Sequence, residues 1–206
     1  MHHARQHALT RTRERRQRLA SEAARLMAEQ GLRDFAQAKR KAAQRLGIVD
    51  EAAMPRNSEI EQALREYQRL FQSETQPQAL RRRREAAVEA MRFLARFEPR
   101  LVGAVLEGTG DAHSAVSLQL FADDADAVRH FLSEHGIRFE TSERRLRLDR
   151  EREARFPVLL FAADDVPFDL TVLPRDALRQ APLDRISERP MQRASLSAVE
   201  ALLGDG

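Results

Sequence analysis

The 206-residue chain contains no cysteine, which excludes a disulfide framework, a thiolate zinc site and a cysteine nucleophile at once. Aromatic residues make up only 5% of it against 42% apolar residues overall, so any core must rest on Leu, Ala and Val. No apolar run approaches the roughly 18 residues of a membrane span, and the basic N-terminus lacks the apolar centre of a signal peptide. No membrane partner is expected, and the cytoplasm is the default address. Internal repeats and low-complexity tracts are missing. Lysine is nearly so: Lys39 and Lys41 are the only two among 35 basic residues, so the arginine excess reads first as genome base composition. No zinc motif is present, and His130 and His135 stand five apart, off the helical spacing at which two ligands share a metal. His2, His3 and His7 read as residues of a frayed terminus, and His113 as a solvent-facing loop histidine.

Charge is plentiful, at 33% of residues, and its two signs alternate as on solvated helices. The net charge of +3 conceals an asymmetry. Residues 1–100 hold 22 Lys and Arg against 13 Asp and Glu, whereas residues 101–206 hold 13 against 19. Such a dipolar chain can present a basic face to nucleic acid or to an acidic partner.

Hydrophobic spacing divides the chain near Pro99. Before it the period is helical. Leu19, Ala23, Leu26 and Met27 mark a helix from about Arg13 to Gln30, stopped by Gly31. Phe35, Ala38, Ala42 and Leu46 mark a second, ended by Gly47. Ser58 with Glu61 makes a capping box for a third, whose stripe from Ile60 to Phe71 suits a core or a dimer contact. After a polar break at Ser73–Pro77, a long helix is expected over about Gln78 to Phe97. Its Arg81, Arg82, Arg83 and Arg84 wrap around the helix, which favours a solvated face over a phosphate stripe. Residues 21–46 also admit a helix-turn-helix reading, with Lys39, Arg40, Lys41 and Arg45 on the second helix; the plainer reading gives those cations to the outer face of a packed helix.

After Pro99 the period turns to two. Leu101–Leu106 reads as a buried strand, and Ala115–Phe121 alternates with Ala115, Ser117 and Gln119 on one face. A helix is expected over Asp124–His135. Strands follow at Ile137–Thr141, Arg144–Leu148, Val158–Phe161 and Pro167–Leu173, the last with Asp169 and Thr171 on its polar face. A loop from Pro174 to Arg193 leads to a short helix with Ser197 and Glu200 as its capping box. The expected fold is α+β: an N-terminal helical bundle over 13–75, then a small mixed β-sheet domain with flanking helices over 78–206.

The stretch Leu101-Val-Gly-Ala-Val-Leu-Glu-Gly108-Thr109, then Ser114-Ala115-Val-Ser117, then Phe168-Asp169-Leu170, resembles the minimal bacterial form of the nucleotidyltransferase superfamily. The resemblance covers about residues 85–175. In that family a strand ends in Gly-Ser or Gly-Thr, the next opens Ser-Asp-x-Asp, and a later strand adds a third carboxylate. The chemistry explains the pattern, because Mg²⁺ takes oxygen ligands and two carboxylates at i and i+2 of a strand share a face. The cation neutralises the triphosphate during transfer.

On that resemblance Gly108, Thr109 and Ser114 would grip nucleotide phosphates, and Asp169 would be the catalytic, metal-binding carboxylate. The first two carboxylates are lost, because Ala115 and Ser117 occupy their positions, and the segment between turn and strand is some five residues short. Of the nearby acids Glu107, Asp111, Asp123 and Asp124, only Asp111 is placed to substitute. The last two suit the start of the following helix. The resemblance therefore implies a degenerate protein that binds nucleotide triphosphate or nucleic acid with weakened Mg²⁺ binding and weak or absent transfer. Two alternatives stand beside it: an active Mg²⁺-dependent transferase using Asp169 with Asp111, and a non-catalytic DNA- or RNA-binding module. Lys39, Lys41 and Arg81–Arg84 are the candidate nucleic-acid contacts.

Overall fold

The computed structural model describes residues 2–32, 34–149, 151–184 and 189–204, with side chains of the first helix from Thr10 onward. The fold is α+β, with an N-terminal helical region followed by a five-stranded mixed sheet and its helices. The chain divides into two compact units, Met1–Thr75 and Gln76–Gly206. Among the described residues, no helix is long and apolar enough to cross a membrane.

The first unit holds α1 (His2–Gln30), α2 (Phe35–Leu46) and α3 (Asn57–Phe71). Helix α1 begins well before the expected Arg13. A helix can form without an apolar stripe, and periodicity detects only the stripe. The side chains of His2, His3 and His7 lie outside those described. Asp34 caps α2 by accepting the Gln37 N–H at 2.6 Å, and Gly47 closes it at φ 63°. Alanines at the contact allow close helix approach: Ala23 and Ala24 of α1 and Ala38 and Ala42 of α2 are buried with Leu19, Leu26, Ile60 and Leu64. Helix α3 starts two residues upstream of the expected Ser58 cap, with Arg56 as N-cap, and only the return half of a capping box forms: the Arg56 N–H donates to Glu59 Oε2 at 2.6 Å. Of the α3 stripe, Ile60 and Leu64 are core residues, whereas Leu70 and Phe71 are 63% and 70% exposed.

The second unit runs α4 (Thr75–Phe93), β1 (Arg100–Val102), α5 (Ala104–Glu107), β2 (Val116–Phe121), α6 (Ala125–Glu134), β3 (Glu140–Arg147), β4 (Glu153–Ala163), β5 (Val166–Leu173) and α7 (Leu196–Gly204). Strand order is β1-β2-β5-β4-β3, with β2 and β5 parallel and the other neighbours antiparallel. Helix α4 tolerates Pro77 because its missing N–H falls in the first turn. It ends at Phe93, and a 3-10 turn covers Ala95–Phe97.

The strand expected over Leu101–Leu106 stops at Val102. Gly103 adopts φ 72° and ψ −157°, a conformation essentially confined to glycine, and Ala104–Glu107 then coil into a helix. An apolar run of six residues does not distinguish a buried strand from a buried helical turn by period. The two strands expected at 137–141 and 144–148 are one continuous edge strand, β3.

One face of the sheet forms the core. Val116, Leu118 and Leu120 of β2, Leu159 of β4, and Phe168, Leu170 and Val172 of β5 pack with Ala87, Val88 and Met91 of α4, Val128 and Leu132 of α6, and Val199 of α7. Truncating one of the fully buried leucines to alanine costs about 2–5 kcal/mol at such sites.

Candidate functional site on the polar face of the sheet

Successive residues of a strand face opposite sides, so the burial of Val116, Leu118 and Leu120 turns Ser117, Gln119 and Phe121 to the other face. Because β5 runs parallel in register, Ser117 lies opposite Asp169, Gln119 opposite Thr171 and Phe121 opposite Leu173. Ser117 and Asp169 are thus neighbours on one face, and Ala115, half-buried, precedes β2. The antiparallel ladders extend this face outward: Leu160 is opposite Asp169, Val158 opposite Thr171, and Arg144 of β3 opposite Phe156.

Arg144 reaches across β4 and grips Asp169 with both arms of its guanidinium. Nη1 donates to Oδ1 at 3.0 Å and Nη2 to Oδ2 at 2.5 Å, and Nη1 also donates to Thr171 Oγ1 at 3.0 Å. Asp169 is only 9% exposed, so its charge is poorly solvated and depends on this partner. The bidentate geometry matches the planar fork of arginine to both carboxylate oxygens.

These residues do not form a ligand set for Mg²⁺. Ala115 offers no oxygen, Ser117 offers a neutral hydroxyl, and both oxygens of Asp169 are engaged by a cation that the protein itself supplies. Among the described residues, no group of three or more His, Asp or Glu side chains is placed to hold a metal.

The same face carries residues that sequence reasoning did not single out. Gln119 is buried, its amide Nε2 3.6 Å from Met191 Sδ and its Oε1 without a partner among the described residues. Arg193 lies 5.2 Å from the Phe121 ring centroid and donates from Nη1 to the Ala177 carbonyl at 2.8 Å. Burial, with the neighbouring charge of Arg100 second, pushes the Arg193 guanidinium down to about 10. Beside these, Phe121, Leu146 and Leu173 form a small apolar cluster with Phe156, Ala177 and Leu178. No local signal marks Arg144, since Arg145 and Arg147 look the same in sequence and only the pairing of β3 with β4 selects it.

The residues expected to grip phosphate serve the loop itself. Gly108 is the C-cap of α5 at φ 85°, its carbonyl accepting from Gln76 Nε2 at 3.1 Å. Thr109 is buried and its N–H donates to the Ala104 carbonyl. Ser114 Oγ accepts the Asp111 N–H at 2.8 Å and donates to Asp111 Oδ1, which also accepts the His113 N–H. Asp111 is therefore a buried loop-closing residue and not an acid presented to the polar face. The turn that ends β1 is Gly103-Ala104, not Gly108-Thr109, which lies five residues further on. Asp124 caps α6 by accepting the Asp126 N–H, and Asp123 accepts the Arg175 N–H.

The arginine run is also engaged inside its own unit. Arg83, buried, donates to the Ala112 carbonyl, Arg84 to the Val105 carbonyl and Arg82 to the Asp164 carbonyl, while Arg81 pairs with Glu85. Burial lowers the pKa of Arg84. In the first unit, burial likewise lowers that of Lys39, against the attraction of Glu59, whereas Arg40 and Lys41 are exposed. That unit has a groove of about 520 Å³ lined by Arg13, Arg16 and Gln17 of α1 and by Glu59, Gln62 and Glu66 of α3. No protein-family model matches the chain, and no curated protein matches it either.

Proposed function

We propose that the Gln76–Gly206 unit is a nucleotidyltransferase-like domain that binds nucleotide or nucleic acid without transferring a nucleotidyl group. The observation that carries the non-catalytic half of this reading is the bidentate Arg144–Asp169 pair beside the uncharged Ala115 and Ser117; the binding half rests on the family resemblance. Phosphoryl chemistry needs a concentrated positive charge held by carboxylates and open to the triphosphate. Here one carboxylate remains, and its counter-charge is a covalently tethered guanidinium. With the strand-ending turn at Gly103-Ala104, the five-residue shortfall against the family pattern disappears, which favours the family reading. The same shift puts Ala104 where that pattern has a hydroxyl, a further loss on the catalytic side. An active transferase would have to release Asp169 from Arg144 and recruit an acid in place of Asp111, whose carboxylate closes its own loop.

The test has two arms. Labelled nucleotides with Mg²⁺ or Mn²⁺, and total RNA or protein as acceptor, should give no incorporation beyond that of the Asp169→Ala variant. Incorporation that vanishes in Asp169→Ala overturns the reading. In calorimetry the unmutated chain should take up no Mn²⁺ at the sheet, while Ala115→Asp/Ser117→Asp/Arg144→Gln should gain a site that Asp169→Ala abolishes. A heat of nucleotide binding to the unmutated chain without metal supports the binding half, and its absence at millimolar ATP removes it.

A further inference from the structure

Helix α1 changes character along its length. From Leu19 onward it is packed, but no side chain from Thr10 to Arg18 is buried. Those nine residues carry Arg11, Arg13, Arg15, Arg16 and Arg18 against the single acid Glu14. At about 100° per residue, Arg13 and Arg16 fall on the side of Ala20, and with it they line the groove that faces Glu59 and Glu66 of α3. Their charge is locally balanced, and Arg16 Nη2 donates to the Ala52 carbonyl.

Arg11, Arg15 and Arg18 fall on the opposite side, within about 60° of one another, as positions i, i+4 and i+7 do. The same stripe continues through Glu22, Arg25 and Glu29. There it is neutralised: Arg25 pairs with Glu22 at 2.8 Å and Glu29 at 3.2 Å, and Arg45 of α2 adds a contact to Glu22. The N-terminal half has no such balance. Among the described residues Arg15 has only Asp50 at 3.9 Å, an exposed pair of little energetic weight. Arg11 and Arg18 make no ion pair among the described residues, and Glu14, at the edge of the stripe, comes within pairing distance of neither.

We propose that this uncovered half of α1 is a binding surface for the phosphate backbone of duplex DNA, with Arg11, Arg15 and Arg18 as its contacts. The three guanidinium stems span about 10 Å of helix axis, against one duplex charge per roughly 1.7 Å. A helix with side chains is about 10–12 Å across, which the B-form major groove of about 12 Å admits. The A-form groove of duplex RNA is too narrow for it. Single strands are bound largely by stacking on aromatic rings, and residues 10–18 contain none. This surface belongs to the first unit and is independent of the proposed nucleotide site on the sheet.

The experiment is fluorescence anisotropy of a labelled duplex of about twenty base pairs with the full chain, at about 50 and 200 mM salt. Three phosphate contacts predict a slope of log K against log salt near −2.7, or roughly 40-fold weakening over that range. Arg11→Gln/Arg15→Gln/Arg18→Gln should abolish most of the affinity and of the slope. The matched α3 variant Arg56→Gln/Arg65→Gln/Arg69→Gln should change neither by more than about twofold. Each single α1 variant should lower the slope by about one, which keeps the test valid if the triple variant loses helicity by circular dichroism. ATP should bind the Arg11→Gln/Arg15→Gln/Arg18→Gln variant as it binds the unmutated chain, so failure on the sheet and failure here are separable. Undetectable binding at the lower salt, equal loss in the α1 and α3 variants, or tighter binding of duplex RNA or single strands overturns the proposal.

Discussion

Removing Arg144 should expose how strongly the polar face depends on one cation. In Arg144→Ala the Asp169 carboxylate stays largely buried, and Thr171 Oγ1 loses the Arg144 donor. Breaking a fully buried pair costs about 3–5 kcal/mol, whereas an exposed pair contributes about 0–1. The side chains of Asp169 and Arg144 are 13% and 39% exposed, so solvent screens the pair in part, and a loss of about 2 kcal/mol is expected. For a unit of this size that lowers Tm by roughly 6 °C. Asp169→Ala should cost less, about 1 kcal/mol, because the freed guanidinium can turn to water. The double variant should then lie well short of the sum, with a coupling of about 1–2 kcal/mol. Urea unfolding of the full chain and the three variants, followed by far-ultraviolet circular dichroism, measures the free energies, and thermal unfolding by the same signal measures the Tm. A loss below about 0.5 kcal/mol in Arg144→Ala, or strict additivity, would show that the pair does not hold β3 to β5.

Further expectations come from other sites. Gly103→Ala should destabilise by about 1–3 kcal/mol in the same unfolding assay through backbone strain alone, since a Cβ there meets no atom within 4 Å. A loss under about 0.5 kcal/mol would mean the β1–α5 turn relaxes freely. The Glu22 carboxyl is held below the usual glutamate range by the hydrogen bond from Arg25, with burial opposing it and Arg45 assisting. Its contribution is therefore complete above the unfolded glutamate pKa and fades as pH falls through the lower folded value. Glu22→Gln should lower stability at neutral pH and flatten the acid limb of the stability curve; an unchanged limb contradicts the assignment.

Sequence alone determined the order of the elements and most of their inward faces, because the period of apolar residues is a local property of the chain. The stripe Leu19–Ala23–Leu26, the alternation Val116–Leu118–Leu120 and the alternation Phe168–Leu170–Val172 each announce their buried side without reference to any partner. The placing of Ser117 and Asp169 on the polar sides of their strands was legible for the same reason. Where a short apolar run met a glycine, the local signal was ambiguous, and Leu101–Leu106 divided into strand and helix at Gly103.

The partner of Asp169 was decided by tertiary structure only. Arg144 lies 25 residues away, and its selection over Arg145 required the β3–β4 register and then the β4–β5 register. The same distinction governs the other cations. Four consecutive arginines at 81–84 carry equal charge in sequence, yet long-range packing commits three of them to backbone carbonyls, while Arg11 and Arg18 are exposed and make no ion pair among the described residues. Composition sets how many charges a chain holds, and burial decides which of them are left to meet something else.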